Sequence, residues 1–205
     1  MDKKQKGNKN VIVDSDPGVS NAYFGGDIGH ESWAMIEGYG SAALYLASHA
    51  HEENERDTWL YPSLYLFRHY VELSLKDIYL KWKDVDGEEV DPRILEGHGL
   101  DTHLYVDLWK WISAQWPTSD RESLKEVRRT IVDLHRLDKS GQAFRYIKST
   151  EGKFFRTDTT KLIGYTSLSR KIETVKSFLD GIQAWIDNEL ETRAEQYAEF
   201  SVEWD

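Results

Sequence analysis

The feature that most restricts this chain is the spacing of apolar residues in its last third, where Tyr165, Leu168, Ile172, Val175, Leu179, Ile182 and Ile186 alternate by three and four. That period puts a narrow apolar seam on one side of a helix and does not suit a strand, whose faces alternate at every residue. A seam of this length must lie against another helix, either inside the domain or across a dimer. The same period recurs upstream. Trp33, Ile36, Ala43, Leu44 and Ala47 outline a first helix from Glu31 to about Glu53. A second begins with Pro62 in its first turn, where no carbonyl needs the missing N–H, and runs unbroken to about Trp82.

Breakers and caps divide the remainder. Residues 84–100 hold three Gly and one Pro among acidic side chains and read as a loop. A short helix from His103 to Trp116 stops before Pro117, and Ser119 with Glu122 forms a capping box for a fourth helix that reaches Leu137, with Gly141 just beyond it. After an irregular stretch to residue 158, Thr159 or Thr160 caps the last helix. The expectation is an all-α fold, an antiparallel bundle of about five helices over residues 29–205, with residues 1–28 as a mobile N-terminal arm.

A chain of 205 residues with eight Trp and eleven Tyr can build one substantial core, but two domains would be cramped. The absence of Cys excludes a disulfide framework, a thiolate metal site and a thiol nucleophile. The start, MDKKQKGNKN, is not followed by the apolar run of a signal peptide, and no later stretch has membrane-spanning length, so a cytoplasmic protein with no membrane partner is expected. The formal charge of −10 repels a phosphate backbone at long range and argues against general nucleic-acid coating. A few Arg and Lys gathered in one cleft can still grip a phosphate.

The second helix carries the most informative pattern. At roughly 100° per residue, Leu64, Phe67, Val71, Leu75, Ile78 and Trp82 share one face, and Leu66, Leu73 and Leu80 form a second apolar strip. Between them lie Arg68, Glu72 and Lys76, with Tyr65, His69 and Tyr79 alongside. Glu72 can interact with both cations at i, i+4 spacing. The stripe reads either as a structural ion-pair network or as the floor of a polar cleft.

The segment YPSLYLFRHYVELSLKDIYL with its Glu-x-x-x-Lys, Thr102 and His103 ahead of Leu108 and Trp109, and Phe144, Arg145 and Tyr146 before the last helix together resemble the HEPN superfamily over residues 31–190. That superfamily comprises compact helical domains found in nucleotidyltransferase partners, toxins and antiviral defence proteins. The family's Arg-Tyr motif continues into Pro, whereas Ile147 follows here, which weakens transfer from the nucleotidyltransferase-associated branch.

Many catalytic members are metal-independent ribonucleases with Arg, four to six residues, then His, so the resemblance implies a chemistry without a cofactor. Arg128 and His135 share a helix face, Arg129 and His135 have the spacing but diverge in direction, and Arg93 and His98 have it within a Gly-rich loop. In such a site the RNA 2′-hydroxyl attacks the neighbouring phosphate, with His103 or His135 moving the proton and Arg128, Arg145 or Arg68 holding the phosphate. The binding cleft would comprise Arg68, His69, Glu72, Lys76 and Tyr146. The resemblance also implies a homodimer. The alternative is a non-catalytic helical module that binds a nucleotide or a basic protein partner through the same cleft.

Three further patterns read as structural. VIVDSDPGVSNA at residues 11–22 resembles the N-terminal calcium motif of nucleoside hydrolases, but Ser20 and Asn21 stand where that motif has two more Asp, so DSDPG is read as a turn. His49 and His51 lie at i, i+2 on a helix and diverge too far to chelate one ion. Trp109, Trp111, Trp116, Trp185 and Trp204 read as packing aromatics.

Overall fold

The computed structural model describes residues 27–50, 56–100, 102–115, 120–155 and 162–202. Six helices follow one another: α1 (Ile28–His49), α2 (Arg56–Asp86), α3 (Pro92–Glu96), α4 (Thr102–Gln115), α5 (Arg121–Leu137) and α6 (Tyr165–Val202). The architecture is all-α. Among the described residues the sole β pairing is an isolated antiparallel bridge between Lys148 and Phe154. No described helix is long and apolar enough to cross a membrane.

The chain divides into two compact units, residues 1–34 and residues 35–205. In the first, Asp27 starts α1 by accepting from the His30 N–H through its carboxylate and from the Glu31 N–H through its carbonyl. The helix begins three residues before the Glu31 expected. Residues 1–26 of the expected N-terminal arm, the DSDPG turn, Ser119, Thr159, Thr160, His51, Trp116 and Trp204 lie outside the described residues, while Ile28, expected in the arm, already belongs to α1.

In the second unit the core is built chiefly on α2 and α6. Leu64, Phe67, Val71, Leu75 and Ile78 of α2 are buried, as are Leu168, Ile172, Val175, Leu179, Ile182 and Ile186 of α6. The long seam is thus closed within the domain, against α2 and α5, rather than left for a second copy. Polar links fix its register at the edges. The Tyr70 hydroxyl donates to Asp180, the Gln183 amide donates to Asp77, and Lys81 pairs with both Asp77 and Asp187. The second apolar strip is not a core face, because Leu66 and Leu73 are half-buried and Leu80 is exposed.

Boundaries differ from expectation at several points: α1 ends at His49 rather than near Glu53, and α6 begins at Tyr165 after the non-helical residues 162–164, so its start is not at Thr159 or Thr160. Pro62 is the seventh residue of α2, which begins at Arg56. The preceding turn is held from outside: the Tyr165 hydroxyl donates to the Arg56 carbonyl and Leu60 packs on the core. Those contacts lie outside any local pattern and offset the lost N–H donor. Within the expected loop, α2 continues to Asp86 and ends at Gly87 (φ +67°), where the Glu88 N–H reaches the Lys83 carbonyl. Pro92 then starts the single turn of α3, capped by the Asp91 carboxylate, which accepts from the Arg93 N–H at 3.0 Å.

Candidate functional site

Arg68 and Glu72 face the interior side of the α2 stripe and are 2% and 4% exposed. Charges so far from water persist only with partners, and each has several. Glu72 accepts from Arg68 at 2.7 Å and from Lys76 at 2.9 Å, and its Oε1 lies 3.0 Å from Nδ1 of His98. Burial by itself would push the Glu72 carboxyl up, but hydrogen bonds from Lys76, Arg68 and His98, with the Lys76 charge, outweigh it and hold the carboxyl below its usual range. Glu72 is therefore a fixed carboxylate at neutral pH.

The rest of the Arg68 guanidinium ties three chain segments together. It donates to the carbonyl of His98 and, through Nε at 3.2 Å, to the carbonyl of Asp138. The buried Asp138 ends α5 and organises the next turn, its Oδ1 accepting from the N–H groups of Gln142 and Ala143 at 3.0 Å each. That turn brings Gly141 flat against the guanidinium. A Cβ at Gly141 would stand 3.2 Å from the Arg68 carbon and both terminal nitrogens, and φ there is +72°. Glycine is required on both counts.

A more exposed layer lies beside this clasp. Arg145 donates through Nε to the Gly141 carbonyl at 3.0 Å, and its guanidinium carbon sits 5.6 Å from the Tyr65 ring centre and 5.3 Å from that of Tyr146. His69 stacks on Tyr65 at 5.7 Å and meets the edge of Tyr39 at 4.5 Å. Burial lowers its pKa; the Glu72 charge opposes this, and the charges of Arg145, Arg68 and Lys76 add to it, so His69 is neutral at pH 7. Beyond Tyr146 the chain turns back through Gly152 (φ +79°), with Ser149 N–H to Lys153 carbonyl and Phe155 N–H to Ile147 carbonyl bonds. The turn exposes Tyr146, Ile147 and Phe154 and sets the Lys148 ammonium 4.5 Å from the Phe154 ring centre.

The fold thus gathers Arg68, His69, Glu72, Lys76, Arg145 and Tyr146. His135 and Arg128 are placed differently. His135 is half-buried on α5, with Nδ1 enclosed and making no hydrogen bond, and Arg128 lies on the exposed side of that helix. His103 is in the first turn of α4, and its side chain is outside the described residues. Arg93 bonds Asp91 at 2.7 Å. Trp109 packs on Phe178, Trp111 lies between Trp82 and Trp185, and His49 stacks on Tyr45.

His98, Asp138 and Gly141 escaped a reading by periodicity. Only Arg-to-His spacing pointed to His98, which sits between two glycines. The run Asp-x-x-Gly after a helix was a local signal for the other two.

Chemically, the outstanding feature is an imidazole on a buried carboxylate. The His98 side chain is 68% exposed while Nδ1 faces Glu72, which leaves the second ring nitrogen to solvent. A carboxylate so placed orients the ring, the relation that serves general acid–base catalysis. Comparison with protein-family models, curated proteins and solved structures finds no match to this chain.

Proposed function

We propose that the domain is a HEPN-like, metal-independent endoribonuclease, an effector of a toxin or antiviral defence system, in which His98 moves the proton. The observation that carries this reading is the 3.0 Å contact between the exposed His98 imidazole and the buried carboxylate of Glu72. His98 takes the proton of an RNA 2′-hydroxyl, whose oxygen attacks the adjacent phosphorus. The 5′-oxygen departs and takes up a proton from water, leaving a 2′,3′-cyclic phosphate. Arg145 supplies a cation for the phosphate, and the exposed rings of Tyr146 and Phe154 suit unpaired bases. The resemblance adds a homodimer to this reading, which sedimentation of the purified chain tests.

The test is cleavage of labelled single-stranded RNA in EDTA. His98→Ala is expected to lose about 100-fold or more in rate, a 2′-deoxy substitution at the cut site to block cleavage, and growth arrest on expression to disappear with the same variant. Cleavage by His98→Ala at the wild-type rate, or none by the wild type, counts against the proposal.

A second reading is favoured by the saturation of the inner network. Arg68 and Glu72 have their hydrogen bonds filled and are almost without exposure, as in a structural clasp that presents Arg145 and Tyr146 to a nucleotide or protein partner. Nucleotide retained on purification, with no RNA cleavage, would support it.

A further inference from the structure

Away from this site, α2, α5 and α6 leave a pocket of about 270 Å³. Phe67 of α2, Leu134 and Leu137 of α5 and Leu168 of α6 supply apolar walls, and polar groups occur only at a few points around it. A closed apolar space of about 150 Å³ holds one benzene ring. The space here suits a body of two fused rings or a medium-length hydrocarbon chain, on the order of ten heavy atoms by the same scale.

Two observations define what would fill it. Leu162 lines the pocket yet is 97% exposed, so an apolar surface at the rim stands in water. A bound hydrocarbon would cover it. The charges are also unequally committed: Asp133 pairs with Arg136 at 3.2 Å, whereas Lys171 makes no hydrogen bond or ion pair among the described residues. An ammonium beside an apolar pocket, with the nearby carboxylate already taken, attracts an anion attached to an apolar body.

We propose that this pocket binds a small amphiphilic carboxylate whose apolar part fills the space between α2, α5 and α6 and whose anionic group pairs with Lys171. The site is independent of the RNA-cleavage reading. It does share backbone with the inner network, because Phe67 precedes Arg68 and Leu137 precedes Asp138. An occupant would therefore press on two residues next to the clasp.

The experiment titrates the full chain with 2-naphthoate, octanoate and the uncharged 2-naphthalenemethanol, using calorimetry and backbone NMR. Both carboxylates are expected to bind saturably, with shifts on α5 and α6, and the alcohol to bind about three- to tenfold more weakly than naphthoate. Lys171→Met should weaken naphthoate by the same factor and leave the alcohol unchanged. Ser167→Trp, a change at an exposed lining residue, should block all three while the melting temperature stays near wild type. Absence of saturable carboxylate binding, equal affinity for alcohol and acid, or unaltered binding by Ser167→Trp would each overturn the proposal.

Discussion

Replacing Glu72 by Ala removes the one anion that faces three donors. The carboxylate is 4% exposed and bonds Arg68 at 2.7 Å, Lys76 at 2.9 Å and His98 at 3.0 Å. Lys76 and His98 can turn to water, being 15% and 68% exposed at the side chain, but Arg68, at 3%, cannot. The cost is therefore set by a buried cation whose remaining counter-charge is the Asp138 carboxylate, 3.7 Å from its Nε, and falls toward the lower end of the about 3–5 kcal/mol that losing one partner of a buried pair costs. For a domain of this size that corresponds to a fall of about 6–20 °C in melting temperature. Three variants isolate the cause. Glu72→Gln keeps the volume and one accepting oxygen, so it should be near wild type if only packing matters and clearly destabilised if charge matters. Lys76→Met removes one of three donors to a carboxylate that keeps Arg68 and His98, and should cost about 1.5–3 kcal/mol, as for a largely buried hydrogen bond to a charged group. Arg68→Met/Glu72→Leu/Asp138→Asn removes all three inner charges while keeping an accepting oxygen for the Gln142 and Ala143 N–H groups, and should recover much of the loss seen in Glu72→Ala. Urea unfolding followed by circular dichroism measures all four. A Glu72→Ala protein within about 1 kcal/mol of wild type, or a fully stable Glu72→Gln, would refute the reasoning.

His69 makes stability depend on pH near neutrality. Burial lowers its folded pKa from 6.5, so below 6.5 the unfolded chain takes up a proton that the folded chain resists. Its contribution is complete above pH 6.5 and falls as the pH drops toward the folded value; His69→Gln should flatten the decline in urea midpoint between pH 7.5 and 5.5. Glu72 acts lower on the scale, since its depressed pKa means that its contribution holds above 4.5 and is lost as the pH falls through the folded value, a loss absent from Glu72→Gln. Gly141→Ala places a Cβ 3.2 Å from the guanidinium at φ +72°, and is expected to cost about 1–3 kcal/mol, read in the same unfolding assay. Arg145→Ala removes an exposed cation and should change the melting temperature little while weakening RNA binding, measured by filter retention.

The periodicity of the chain determined its helices and most of their buried faces, although Trp33, which shares the apolar period of the first helix, is 61% exposed. Six of the seven apolar positions read along the last helix are buried and the seventh, Tyr165, is half-buried; Leu64, Phe67, Val71, Leu75 and Ile78 face the core of α2 as their spacing requires. This was legible because burial repeats with the helical turn, and a repeat needs only neighbouring residues to be seen. The Arg68, Glu72, Lys76 ladder was legible for the same reason. Tertiary structure alone supplied its distant partners: Arg68 reaches His98 thirty residues away and Asp138 seventy residues away, and no local pattern encodes either contact. It also decided that α2 starts six residues before Pro62, because Tyr165, across the fold, supplies the contact that holds that turn. Local spacing governs which side of a helix is apolar, whereas a site is made by chain segments that meet only after the helices pack.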